Sequence, residues 1–214
     1  TAGEYFINKF RYDDVDKYDE SAICKFKSIT QFYPLESATP PLMIPTNPDG
    51  KTDLINNGIK SALSVPDGTD LYKALFESIE RASLGTNEKR AVIVLSDGAN
   101  NIDTETLANV IGSAVNQSVP IFTIFYIDPD PSSAAKARPD IMQQLARATG
   151  GQYFSSGTGS VAELESIFEE IFNILSSKYL ISYPVSSAVC SGINNLMVRV
   201  DYNGMYGVGL VTAP

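Results

Sequence analysis

The stretch VIVLSDGANN, Val92 to Asn101, runs through four apolar residues and then stops at a serine, an aspartate, a glycine and a polar turn. With Ala91 in front, the apolar run shows no polar alternation, which predicts a parallel strand covered on both faces. In sheets built from such strands, ligands gather at the carboxyl ends, and Asp97 stands at that end. An isolated Asp-Gly after a strand is also an ordinary turn, so the residues on either side have to decide.

On the N-terminal side, Thr69 or Asp70 can cap a helix in which Leu71, Ala74, Leu75, Ile79 and Ala82 recur at helical spacing, ending near Gly85. Before it come the turn Val65-Pro66-Asp67-Gly68 and a helix capped by Thr52-Asp53. Leu54, Ile55, Ile59, Ala62 and Leu63 lie along one face of that helix. The proline-rich stretch Pro34 to Asp49 reads as a loop. Ala22 to Phe26 reads as a short strand, extended by the polar and aromatic alternation of Ile29 to Tyr33. Tyr5, Phe6 and Phe10 have the spacing of a helix tail without a start, closed by the acidic turn Asp13 to Glu20.

On the C-terminal side, an amphipathic helix over Thr104 to Asn116 leads to a second buried strand, Val119 to Ile127, which again ends in an aspartate, Asp128. A helix over Ile141 to Thr149 stops at Gly150-Gly151, and Gln152 to Ser155 forms a short strand. Ser160 and Glu163 make a capping box for a helix reaching about Ser176, with Leu164, Ile167, Phe168, Ile171, Phe172 and Leu175 toward the core. Tyr179 to Tyr183 reads as a strand. Met197 to Tyr202 and Met205 to Val211 flank Asn203-Gly204, a preferred tight hairpin turn. Strands alternating with helices predict an α/β fold: three layers, doubly wound, with a mostly parallel sheet and a C-terminal β-hairpin extension. The expected domains are 1–180 and a β extension over 181–214.

Composition narrows the chemistry. Histidine is absent from the 214 residues, which removes Ser-His and Cys-His nucleophiles and His-ligated zinc. Two cysteines, Cys24 and Cys190, are too few for a disulfide framework and read as one buried thiol and one loop thiol. The formal charge of -9 argues against a nucleic-acid partner, which requires clustered Lys and Arg. No apolar run reaches the roughly 18 residues of a transmembrane segment.

In their order and spacing, GTDLYKAL (Gly68 to Leu75), AVIVLSDGANN (Ala91 to Asn101), VPIFTIFYID (Val119 to Asp128) and LARATGGQYF (Leu145 to Phe154) resemble the von Willebrand factor type A domain, also called the integrin I-like domain. The resemblance covers Ala2 to about Leu180. It implies a metal-ion-dependent adhesion site holding Mg²⁺, or Mn²⁺ or Ca²⁺, in which Thr69 matches the family's metal-binding threonine and Asp97 its aspartate. Asp70 and Ser96 are the supporting residues. The family's Asp-x-Ser-x-Ser motif, on a first strand before the first helix, has no match here, so about 25 residues of strand and turn are expected upstream. Thr69 and Asp97 alone give too few ligands for tight Mg²⁺ binding. The family's sheet order also implies a central strand between Ala22 to Phe26 and Ala91 to Leu95, supplied by a companion fragment or another copy.

The expected function is that of a non-catalytic adhesion or assembly module, extracellular or in the cell envelope, whose protein partner offers a carboxylate to the cation. A metal-free scaffold is the first alternative, and a hydrolase using Asp97 and Asp128 as an acid/base pair the second. Gly157-Thr158-Gly159 hints at a phosphate cradle but lacks the strand context and the third glycine of a dinucleotide fingerprint.

Overall fold

A computed structural model describes residues 1–14, 17–35, 43–61, 68–102, 104–126, 136–157, 159–177, 195–202 and 205–212. In chain order these form α1 (Ala2–Lys9), β1 (Tyr12–Asp14), β2 (Lys17–Tyr18), β3 (Glu20–Ser21), β4 (Ile23–Phe26), β5 (Thr30–Tyr33), β6 (Ile44–Pro45) and α2 (Pro48–Asp53), which continues as a π-helical segment, Leu54–Ile59. Then follow α3 (Leu71–Ser83), β7 (Val92–Ser96), α4 (Leu107–Asn116), β8 (Ile121–Tyr126), α5 (Pro139–Thr149), β9 (Tyr153–Ser156), α6 (Val161–Ser176), β10 (Asn195–Tyr202) and β11 (Met205–Thr212). The chain divides into two compact units, Thr1–Ser176 and Ser177–Pro214. In the second unit, β10 and β11 pair antiparallel with Tyr202 opposite Met205. The turn Val65 to Asp67, Asp128, the strand expected over Tyr179 to Tyr183, Cys190 and Asn203-Gly204 lie outside the described residues.

The first unit is built on the parallel sheet β7-β8-β9, with Val92 opposite Ile121 and Thr123 opposite Tyr153. Both faces of β8 are buried, as its unbroken apolar run requires. On one face, Val92, Val94, Ile121 and Phe125 pack against Leu71, Leu75 and Ile79 of α3, Val110 and Ala114 of α4, and Ile141, Met142 and Leu145 of α5. On the other, Phe122, Ile124 and Phe154 pack against Ile167 and Ile171 of α6. Helix α1 lies against α6: Phe6 stacks on Phe168 at 4.8 Å, and the Tyr5 hydroxyl donates to Glu169 at 2.8 Å. The result is the expected three-layer arrangement.

Local structure departs from the sequence reading in four places. Ile29 to Tyr33 does not extend the preceding strand; β4 and β5 form an antiparallel hairpin with Ile23 opposite Tyr33, closed by the Lys27 amide donating to the Ile29 carbonyl at 3.0 Å. Helix α1 has a start, because the Thr1 hydroxyl accepts from the Glu4 amide at 3.3 Å. Helix α2 begins earlier than Thr52: Asn47 caps it, accepting from the Gly50 amide at 2.6 Å, with Pro48 in the first turn. The acidic segment after α1 holds the short strands β1 and β2, paired antiparallel, and β3 pairs with β6.

One feature of the sheet bears on function. Among the described residues, no ladder joins β4-β5 to β7-β8-β9, although α3 touches both β4 and β7. Leu95 of β7 is 43% exposed, where a strand covered on both faces was expected. The cause is local: Ile93 and Leu95 share a face, Ile93 reaches the α6 cluster, and nothing among the described residues covers Leu95 to the same degree. Cys24 on β4 is a half-buried free thiol whose pKa burial pushes up to about 11, as in a protonated, weakly reactive cysteine.

Candidate functional site

The carboxyl end of β7 delivers Ser96 and Asp97 to one end of the sheet. The chain can turn there because Gly98 adopts φ 78°, and a side chain at this position would strike the Arg138 carbonyl oxygen at 2.3 Å. The same contact zone holds the Asp97 main chain, whose carbonyl accepts from the Arg138 amide at 2.7 Å at the start of α5. The Asp97 carboxylate accepts from the Ala99 amide at 3.0 Å through Oδ1, and Ser96 Oγ accepts from the Gly98 amide at 3.1 Å. Both side chains therefore shape the turn.

Thr69 and Asp70 sit at the start of α3. Asp70 is 1% exposed and caps the helix: Oδ1 faces the Lys73 amide at 3.4 Å, and Oδ2 accepts from the Thr104 hydroxyl at 2.6 Å. Its amide donates to the Lys27 carbonyl in the β4-β5 turn at 2.7 Å. Asp70 is thus a structural cap that ties three segments together, with both carboxylate oxygens engaged.

The sequence reading missed the two residues that join the loops. Asn101 Oδ1 accepts from the Thr69 amide at 2.7 Å, while the Asn101 amide donates to the Thr69 carbonyl at 3.0 Å. Asn100 Oδ1 accepts from the Tyr72 amide in the first turn of α3 at 3.2 Å, and its Nδ2 donates to the Ile102 carbonyl at 2.9 Å. The loop after β7 is therefore laced to the start of α3, which brings Thr69 and Asp97 to one region of the molecule.

The Thr69 hydroxyl and Asp97 Oδ2 make no hydrogen bond to another described residue, and both residues are partly exposed. A hydroxyl and a carboxylate oxygen suit a hard divalent cation in donor chemistry, but two donors fall short of the roughly six that Mg²⁺ takes. No group of three or more acidic or cysteine side chains placed to hold an ion occurs among the described residues. The phosphate-cradle reading of Gly157 and Gly159 meets a physical objection. The Gly157 amide donates to Glu163 at 2.8 Å and the Gly159 amide to Ser156 Oγ at 3.0 Å, so both are already used inside the protein.

No protein-family model matches the sequence, and no curated protein matches it. Solved structures do. A von Willebrand factor type A protein from Catenulispora acidiphila superposes with a TM-score of 0.61 over 80% of this chain, at 16% identity. The fold is that of a von Willebrand factor type A (vWA) domain. The present chain spans 36% of that protein's length. The conserved hypothetical protein BatB from Bacteroides thetaiotaomicron matches the vWA-like chain with a TM-score of 0.55 at 14% identity, covering 82% of this chain and 86% of its own. An aerotolerance-related membrane protein from Bacteroides fragilis gives 0.52 at 11% identity, over 81% of this chain and 85% of its own. At these identities the shared property is the vWA fold.

Proposed function

We propose that this vWA-like domain is a non-catalytic module for adhesion or assembly, engaging a protein partner at the carboxyl end of β7 through a divalent cation held in part by Thr69 and Asp97. One observation carries this reading: the Thr69 hydroxyl and Asp97 Oδ2, on two loops bonded to each other, have no partner among the described residues. Mg²⁺, Mn²⁺ or Ca²⁺ would find oxygen donors there, with water and a carboxylate of the partner completing the coordination. Asp70 and Ser96 would support the two loops from behind. One structural neighbour, named as an aerotolerance-related membrane protein, favours an extracellular or envelope setting. No helix among the described residues is long and apolar enough to cross a membrane.

Titration calorimetry of Mn²⁺ into the EDTA-stripped chain tests the reading directly. Saturable one-site binding is expected, weakened at least roughly tenfold in Asp97→Ala, in line with loss of a charged ligand. Absence of binding in both proteins would favour the metal-free scaffold, which the full engagement of Asp70 in hydrogen bonds already suits.

The lack of a ladder between β4 and β7 among the described residues supports a second part of the partner reading: a strand from a companion segment or another copy would fill a gap between them. Crossovers between parallel strands are right-handed in nearly all sheets. The connections β7-α4-β8 and β8-α5-β9 place their helices on the α3 face, whereas α1 lies with α6 on the opposite face. A parallel strand leading into α1 and on to β4 would therefore keep the same hand only from the β7 side of β4, inside the gap. The Val92 amide donates to the Pro120 carbonyl at 3.0 Å, so by alternation the Ile93 and Leu95 amides point to the gap. In the chain alone, hydrogen exchange at Ile93 and Leu95 is expected to run at least roughly tenfold faster than at Val92 and Val94, as for an unpaired edge. Equal protection at all four positions would show that the edge is already paired.

A further inference from the structure

We propose that Asn101 is the positioning residue of this site: its side chain holds Thr69 so that the start of α3 and the loop after β7 present their oxygens as one unit. The inference deepens the binding-module reading and rests on it only for what is bound. Asparagine in a loop usually bonds to the backbone close by, and Asn100 does so in part, donating to Ile102. Asn101 Oδ1 instead reaches across 32 residues to the Thr69 amide. The main chain completes the grip, because the Thr69 carbonyl accepts from the amides of Asn101 at 3.0 Å and Ile102 at 3.3 Å.

Thr69 is thus held at both its amide and its carbonyl by the loop that carries Asp97. The following peptide is fixed from another side by the bond from the Asp70 amide to Lys27. Little remains to Thr69 except rotation about χ1, so its hydroxyl is confined to a few staggered directions relative to the loop. Asparagine suits the position because it offers a neutral acceptor. Aspartate would accept the same hydrogen bond while adding a second negative charge near Asp97. Alanine would leave the Thr69 amide to water.

Amide exchange measured by NMR on the whole chain tests the role, with Mn²⁺ calorimetry as a second readout. Asn101→Ala is expected to speed exchange at Thr69 at least roughly tenfold while the Tyr72 and Lys73 amides keep their rates, since those are held by Asn100 and Asp70. Asn101→Asp is expected to restore slow exchange at Thr69. Unchanged exchange at Thr69 in Asn101→Ala would overturn the proposal. So would equal acceleration at Thr69, Tyr72 and Lys73, because Asn101 would then hold up the whole helix start and not Thr69. In the calorimetric arm, Asn101→Ala is expected to weaken Mn²⁺ binding about fivefold, and affinity equal to the wild type would overturn the positioning role. If the wild type binds no Mn²⁺ while the exchange pattern holds, the cation reading falls and the positioning of Thr69 by Asn101 stands.

Discussion

Gly151→Ala is expected to destabilise the first unit by roughly 4 kcal/mol or more, which places it in the small class of severe single substitutions. A Cβ on Gly151 would lie 2.0 Å from the Ile121 carbonyl oxygen and 2.5 Å from its carbon, where only main-chain movement can relieve the overlap. The main chain there is constrained on both sides. The Gly151 amide donates to the Ala146 carbonyl at 3.0 Å, closing α5, and the Thr123 amide donates to the Gln152 carbonyl at 3.0 Å, opening the β8-β9 ladder. Moving Gly151 therefore disturbs either the helix end or the sheet. Its neighbour is the control. Gly150 has φ 81° and nothing within 4 Å of a built Cβ, so Gly150→Ala meets only the left-handed backbone cost of about 1–2 kcal/mol. Denaturant titration of both variants decides the matter, and comparable losses would mean that the chain passes Ile121 less closely than described.

Asp70→Ala is expected to lose about 2–3 kcal/mol, from a helix cap together with a hydrogen bond to a charged acceptor. For a unit of this size the melting temperature should fall by roughly 4–10 °C. Asp70 is buried, and its carboxylate joins the Lys73 amide to the Thr104 hydroxyl. The alanine variant also frees the loop around Thr104. Asp70→Asn should recover much of the loss, since an amide can accept from Lys73 while donating to the Thr104 oxygen. If thermal melting shows the two variants to be equally unstable, charge and not hydrogen bonding is what Asp70 contributes.

Much of the scaffold was legible because it rests on long periodic signals. Leu71, Ala74, Leu75, Ile79 and Ala82 are all buried on α3, as their spacing required. Ser160 accepts from the Glu163 amide at 3.3 Å at the start of α6, and the Glu163 carboxylate also accepts from the Ser156 hydroxyl and the Gly157 amide. Short elements were not legible in the same way. A two-residue strand such as β3 has no period, and the β4-β5 turn over Lys27 to Ile29 contains neither glycine, proline nor asparagine. Asn47-Pro48 was a readable helix start hidden by the surrounding prolines. At the site, Thr69 and Asp97 stood out because they follow a glycine turn and a buried strand. Asn100 and Asn101 carried no such mark, since their bonds to α3 and its lead-in cross 28 and 32 residues of sequence.

The two sides of the site differ in compliance. Asp97 is bonded through its carbonyl to Arg138 at the head of α5, and α5 is locked to the sheet by the buried Thr123 hydroxyl, which donates to the Met142 carbonyl at 3.0 Å. Buried Ile141, Met142, Leu145 and Ala146 keep that helix from sliding. The carboxylate therefore stands on a foundation as stiff as the core. Thr69 is carried on a partly exposed lead-in, held to the same loop by the Asn101 side chain and by the Asn101 and Ile102 amides. If the proposed cation enters between them, adjustment to its size comes from rotation of the Thr69 hydroxyl about χ1, while the Asp97 main chain sets the fixed reference.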